Sequence, residues 1–221
     1  MADSRITPEQ ITGCVLAGGR GARMGGVDKG LQSFQGLPLA LHALQRLAPQ
    51  VGPLLINANR NTAAYAELGL PLAAEVCADS LPDYPGPLAG FMAGLAHCRT
   101  PWLLCVPCDT PLLPLDLAAR MLASRGDADI VIAHGRDTEH AQPGQPPQLR
   151  PQPVFCLLRA GLACSLERFI TSGGRKIDAW TSQHHSAQAV FDRPGDEQAF
   201  SNANTLAQLL DLEQIAPERQ Y

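Results

Sequence analysis

Short runs that are apolar on both faces, separated by leucine-striped helical segments, constrain this chain more than any other feature. The runs are 11–17, 53–57, 70–74, 102–106 and 129–133. A strand without a polar face meets no water, so helices must cover the sheet on both sides. Strand and helix signals in alternation are the pattern of βαβ units, whose strands lie parallel. The expected fold is therefore α/β, with three layers and a mostly parallel central sheet.

Helical spacing is clearest at 38–48, where Leu41, Leu44 and Leu47 share one face, with Pro38 suited to the first turn and Pro49 stopping it. Segments 88–98 and 115–124 carry similar stripes, and their leucines are read as core. Later come a strand at 154–158, a helix at 161–171, a strand at 187–191 and a final helix at 205–212 with Asn204 as its N-cap. Between 134 and 153 the chain is polar and rich in Gln and Pro, which predicts a loop. With no repeat and no linker, 1–221 is read as one domain.

Hydrophobic residues at 45% and charged residues at 17% give an ordinary globular balance. The formal charge of −4 offers no general attraction for polyanions, so neither nucleic acid nor an anionic membrane is an expected partner. Residues 1–10 lack the apolar run of a signal peptide and no stretch reaches membrane-spanning length, so a cytoplasmic location is expected. The seven cysteines are expected to be reduced. Cys105 and Cys108 have CxxC spacing without a second ligand pair, and the run around them reads as a buried strand.

The first apolar run leads into a glycine-dense loop: Gly18, Gly19, Gly21, Gly25 and Gly26, with Arg20, Arg23 and Lys29 interspersed or following. In open parallel sheets, ligands bind beyond the carboxyl ends of the strands. Backbone without Cβ atoms brings its N–H groups close to phosphate oxygens. Three cations in an otherwise acidic chain complete a site suited to a polyphosphate. The pattern is neither the P-loop GxxxxGK[ST] nor the dinucleotide GxGxxG.

Leu16, Ala17, Gly18 and Gly19, followed by Arg23, Met24, Gly25 and Lys29, resemble the signature of nucleotidyltransferases that activate sugars, alditols and cofactors. Further stretches resemble the molybdenum cofactor guanylyltransferases (MobA): 25–30 (Gly-Gly-Val-Asp-Lys-Gly), 57–60 (Asn-Ala-Asn-Arg), 79–80, 83–90, 107–111 (Pro-Cys-Asp-Thr-Pro) and 202–205 (Asn-Ala-Asn-Thr). They follow the family's order across nearly the whole chain.

The resemblance implies a Rossmann-like nucleotidyltransferase fold, with 1–112 as the nucleotide-binding half and 113–221 as the cofactor-substrate half. It implies that Leu16, Ala17, Gly18 and Gly19 hold the guanine nucleotide, and that Lys29 and Arg23 neutralise its triphosphate. Asn57 would contact the guanosine, and Asp79 the base or ribose; for both, a turn or capping role is the alternative. Asp109 would bind Mg²⁺, which takes one or two carboxylates plus phosphate oxygens and water; the alternative is a cap for the helix near Leu115. Asn202 and Asn204 would contact substrate or help organise the metal site.

The implied reaction is transfer of GMP from GTP to the terminal phosphate of molybdopterin, releasing pyrophosphate. Molybdenum cofactor maturation proteins and molybdoenzyme apoproteins are implied as further contacts. The turns at 83–90 before a helix N-terminus would make a second anion site for the pterin phosphate. Arg175 and Lys176 are available to the same phosphate, or are solvated surface charges. His184 and His185 are read as ordinary polar residues. The alternatives are a molybdopterin cytidylyltransferase, a sugar-phosphate nucleotidyltransferase, or a GTP-binding adaptor without turnover. Segments 26–30 and 79–90 favour the guanylyl type.

Overall fold

The computed structural model describes residues 6–19, 27–80, 86–136, 148–203 and 205–215. Residues 1–112 contain β1 (Ile11–Leu16), β2 (Ser33–Phe34), β3 (Leu37–Pro38), α1 (Leu39–Leu47), β4 (Leu54–Asn57), α2 (Thr62–Gly69), β5 (Glu75–Cys77), α3 (Pro87–His97) and β6 (Trp102–Pro107). Then follow α4 (Leu117–Ser124), β7 (Ile130–Arg136), β8 (Leu149–Arg159), α5 (Ala163–Thr171), α6 (Ile177–Thr181), β9 (Ser186–Phe191) and α7 (Leu206–Ile215).

Seven strands form one sheet in the order β5-β4-β1-β6-β8-β7-β9. β8 runs antiparallel to β6 and β7, while the pairs β1/β4, β1/β6, β4/β5 and β7/β9 are parallel. Side chains alternate between two cores. Val15, Leu104, Val106 and Leu157 pack with Leu44 and Leu47 of α1 and Met121 of α4. Cys14, Leu103, Cys105 and Leu158 pack with Phe91 of α3, Leu166 and Ile170 of α5 and Trp180 of α6. Three layers result, because strands apolar on both faces leave neither face for water.

A separate hairpin, β2–β3, turns through Gln35 and Gly36, both with positive φ. Its Phe34 packs with Leu39, Ala203, Leu209 and Leu212, which fastens α7 beside α1. The Gln35 N–H also donates to Glu213 Oε1 at 2.6 Å.

Several sequence expectations need correcting. Segment 70–74 is not a strand: Leu70–Leu72 is a 3-10 turn, and β5 follows at Glu75–Cys77. Pro71 cannot donate to a ladder, and the edge strand β5 is too exposed to show a continuous apolar run. The expected loop at 134–153 is partly strand, since β7 extends to Arg136 and β8 begins at Leu149; residues 137–147 lie outside the described ones. Pro151 and Pro153 fit because β6 pairs with β8 only over Cys156–Arg159, which leaves one side of the upper β8 without a ladder partner among the described residues. The register shift between Ile132 and Ala133 falls in the same stretch.

Cys105 and Cys108 point into different cores, so their CxxC spacing does not bring the thiols together. Asn204 lies outside the described residues; the Thr205 hydroxyl accepts the Gln208 N–H at 3.2 Å, one turn into α7. At the β9 edge of the sheet, Arg120 forms a bidentate pair with Asp196, both contacts at 2.9 Å, beneath the ring of Phe191.

Candidate functional site at the carboxyl end of the sheet

The strand register determines which residues meet. Leu16 of β1 lies opposite Asn57 of β4 and Pro107 of β6, and Asn57 lies opposite Cys77 of β5. These four residues form the last row of the parallel strands. Two residues past that row stand Gly18, Asn59, Asp79 and Asp109. Backbone bonds continue the row, with Ala17 N–H donating to Asn57 O at 2.8 Å and Cys108 N–H to Leu16 O at 3.1 Å.

Asn57 is 2% exposed, and its amide donates to Asp79 Oδ1 at 2.9 Å. Asn59 donates to Asp79 Oδ2 at 2.7 Å and receives the Asp79 N–H at 2.8 Å. The carboxylate is therefore held at both oxygens. A Cβ at Gly18 would lie 2.8 Å from Asn59 Nδ2 and 3.0 Å from Asn57 Oδ1, and one at Gly90 would lie 2.7 Å from Asn57 Oδ1. Close approach to the asparagines thus explains glycine at both positions. Gly90 lies in the first turn of α3, so the helix N-terminus sits against this group.

Lys29 opens a 3-10 turn with Asp28 at its N-cap position. The buried Asp28 carboxylate accepts the Tyr65 hydroxyl at 2.6 Å and the Asn61 amide at 2.9 Å, and pairs with Arg60 at 3.6 Å. Arg60 also donates to Val27 O at 3.0 Å. Burial, then the neighbouring Cys108 and Asp28, push the Tyr65 hydroxyl far above its ordinary value, so it remains a donor. The end of β4 and the segment after it therefore fasten both flanks of the glycine loop, through Asn57 and Asn59 on one side and Arg60, Asn61 and Tyr65 on the other.

Lys29 Nζ lies 3.4 Å from Asp109 Oδ2, with the two side chains 21% and 17% exposed. The Asp109 carbonyl accepts the Ala203 N–H at 2.9 Å, and the Thr110 hydroxyl donates to Asn202 Oδ1 at 2.9 Å. The segment holding Asn202 is thus docked beside Asp109. Asp109 does not cap α4: that helix begins at Leu117, and the Ala118 N–H donates to Gln50 Oε1. Burial and the charges of Asp109 and Asp28 raise the Cys108 thiol well above its ordinary value.

Among the described residues, no three of His, Cys, Asp and Glu gather as a metal cage. A single partly exposed carboxylate, Asp109, suits a hard cation that draws its other ligands from phosphate and water.

The structure thus brings together Leu16, Ala17, Gly18, Lys29, Asn57, Asp79, Asp109 and Asn202, with Gly19 continuing the loop. Arg23, Asn204 and residues 83–85 lie outside the described residues. Arg175 donates to Ile170 O and Gly174 O, at the carboxyl end of α5. His184 meets the Ser165 hydroxyl at 2.9 Å, and His185 lies 3.6 Å from Asp127. Sequence reading assigned no role to Asp28, Asn59 or Tyr65. For Asn59 a signal existed, since it occupies the same offset from its strand as Gly18 and Asp109.

Residues 13–189 match the MobA-like NTP transferase domain. The chain belongs to the MobA-like NTP transferases. It is accordingly a nucleotidyltransferase. This MobA-like chain is 59% identical over 211 residues to the molybdenum cofactor guanylyltransferase of Acidovorax ebreus, covering 94% of this chain and 97% of that one. It is 54% identical over 207 residues to the protein of the same name from Ralstonia nicotianae, covering 94% and 98%.

Two solved structures share the MobA-like fold. Molybdopterin-guanine dinucleotide biosynthesis protein A from Archaeoglobus fulgidus has a TM-score of 0.70 at 23% identity, covering 92% of this chain and 97% of that one. The 4-diphosphocytidyl-2C-methyl-D-erythritol synthase of Anaerococcus prevotii has a TM-score of 0.72 at 9% identity, covering 94% and 98%. Among the described residues, no helix is long and apolar enough to cross a membrane.

Proposed function

We propose that this enzyme transfers GMP from GTP to the terminal phosphate of molybdopterin, forming molybdopterin guanine dinucleotide and pyrophosphate. One observation carries the reading: Lys29 and Asp109 meet at 3.4 Å beside the glycine loop, in a chain 59% identical to a molybdenum cofactor guanylyltransferase. The chain works as one unit, with 1–112 holding the nucleotide and 113–221 contributing to the acceptor side.

Backbone N–H groups of the loop after Leu16 take the phosphates, and Lys29 offsets their charge, joined by Arg23. Asp79 reads the base. Its carboxylate only accepts hydrogen bonds, and guanine presents two adjacent donors, N1–H and the 2-amino group. Cytosine sets a ring-nitrogen acceptor beside its amino group, so one carboxylate oxygen would face a lone pair. Asn57 and Asn59 hold Asp79 in place for this contact.

An oxygen of the molybdopterin phosphate attacks the α-phosphorus of GTP. The new P–O bond forms as the bond to the bridging oxygen of the β-phosphate breaks, and that oxygen leaves with pyrophosphate. A phosphate monoester is nucleophilic at neutral pH, so the protein needs no covalent intermediate. Its residues align two anions and offset their charge. Asp109 would hold Mg²⁺ together with phosphate oxygens and water, and the ion, when bound, withdraws electron density from the reacting phosphate and the leaving group. Asn202, docked on Thr110, lies beside this position. A cytoplasmic site of action fits the free cysteines.

The test is pyrophosphate release by purified protein given Mg²⁺, molybdopterin and either GTP or CTP. Release with GTP that stops when magnesium is chelated is expected. Equal turnover of CTP would overturn the guanylyl assignment. GTP binding without turnover would point to the adaptor reading.

A further inference from the structure

We infer that Asn59 is a specificity-positioning residue, which sets the direction of the Asp79 carboxylate and ties it to the phosphate-binding loop. This deepens the proposed function and rests on Asp79 as the acceptor that reads the base. The Asn59 side chain makes three polar contacts. Its Nδ2 donates to Asp79 Oδ2 at 2.7 Å and to Gly18 O at 3.4 Å, and its Oδ1 accepts the Asp79 N–H at 2.8 Å. One amide therefore links the loop after β1 to the loop after β5.

Asn59 is exposed, unlike Asn57. Water would satisfy the same groups, so the amide adds direction rather than core stability. With Asn57 on Oδ1 and Asn59 on Oδ2, the plane of the carboxylate is fixed. Each oxygen keeps acceptor capacity for a ligand. A fixed plane matters most to a base with two adjacent donors, because both must be met at once. A base with a single donor loses less when the carboxylate turns. The missing Cβ at Gly18 agrees with this role, since any side chain there would stand 2.8 Å from Asn59 Nδ2.

The experiment measures Kd by calorimetry for GTP, ITP and CTP, each with Mg²⁺, on the full chain and its Asn59 variants. ITP carries hypoxanthine, which lacks the 2-amino donor. For Asn59→Ala, the GTP Kd is expected to rise about tenfold and the ITP Kd only about twofold, the scale of one hydrogen bond to a charged group. The GTP-over-ITP preference then falls about fivefold on the same basis, with the melting temperature unchanged.

Asn59→Asp keeps the shape but sets two carboxylates side by side. GTP binding is expected to be weaker than in the Ala variant, and to recover as pH falls from about 8 to about 5 and one carboxylate takes up a proton. A GTP-to-ITP ratio in Asn59→Ala equal to that of the unaltered protein would overturn the inference. So would equal weakening of both nucleotides. If the unaltered protein itself bound CTP as tightly as GTP, the underlying reading of Asp79 would fail, and the inference with it.

Discussion

Lys29 and Asp109, eighty positions apart in the chain, meet at 3.4 Å at the end of the sheet where β1 and β6 finish side by side. Both side chains are partly exposed, so their mutual attraction adds little to stability. On the proposed function both act on substrate rather than on the fold. Asp109→Ala is expected to lower kcat by about 10²–10³, the scale of losing one charge-offsetting contact, here the ion that Asp109 would hold. Lys29→Ala is expected chiefly to raise the KM for GTP. Steady-state pyrophosphate release beside a thermal melt checks both, and a retained kcat in Asp109→Ala at limiting magnesium would remove Asp109 from the mechanism.

Tyr65→Phe deletes the 2.6 Å hydrogen bond to Asp28 and leaves a buried carboxylate with one donor fewer. The expected cost is about 1–3 kcal/mol of stability, read as a lower urea midpoint at unchanged slope. Asp28 precedes Lys29 directly, so GTP binding should weaken as well.

Gly90→Ala sets two effects of opposite sign against each other. Alanine favours a helix over glycine by about 0.8–1.0 kcal/mol. The added Cβ would lie 2.7 Å from Asn57 Oδ1 and 2.9 Å from Leu16 Cδ2. Asn57 is packed and paired with Asp79, so it has little room to yield. The clash is expected to prevail, giving a lower melting temperature and weaker GTP binding; a more stable variant with unchanged affinity would show that the contact relaxes freely.

Arg120 and Asp196 test how the far side of the sheet is held. Asp196→Ala leaves a guanidinium that is 9% exposed with the Val190 carbonyl and the more distant Asp116, with an expected loss of about 3–5 kcal/mol. A double variant, Arg120→Met with Asp196→Ala, should recover part of that loss, because no buried charge remains. Denaturant curves for the three proteins decide it.

Alkaline pH should destabilise the fold. Neighbouring thiols and burial hold Cys14 and Cys77 above the ordinary 9.0, and burial chiefly does so for Cys105 and Cys156. Above about pH 9 the unfolded chain releases these protons while the folded chain keeps them. The folded state then binds more protons, so stability falls as pH rises. The stabilisation is complete below pH 9 and is lost progressively above it, which melts between pH 8 and 11 would show.

The sheet and its covering helices were legible where burial acts on both faces. Ile11, Val15, Leu104 and Val106 show this, because apolar runs report burial directly. The edge strand β5, with Glu75 exposed, was misplaced for the opposite reason. Pro151 argued against a strand, and what reverses that argument is that, among the described residues, the upper β8 pairs on one side only. The helix α2, with Ala63, Ala64, Ala66 and Gly69, carries too weak an apolar stripe to be seen in the sequence.

The amino-acid order by itself determined that a glycine-rich, cationic loop follows a buried strand, and that acidic and amide residues follow other strands. Those are local facts, set by residue type and by distance along the chain. Only the tertiary structure decided that Gly18, Asn59, Asp79 and Asp109 extend one row, that Asn59 joins two loops, and that Asp28 anchors Lys29. Strand register brings these residues together from across the chain, and register comes from packing the whole sheet rather than from any single segment.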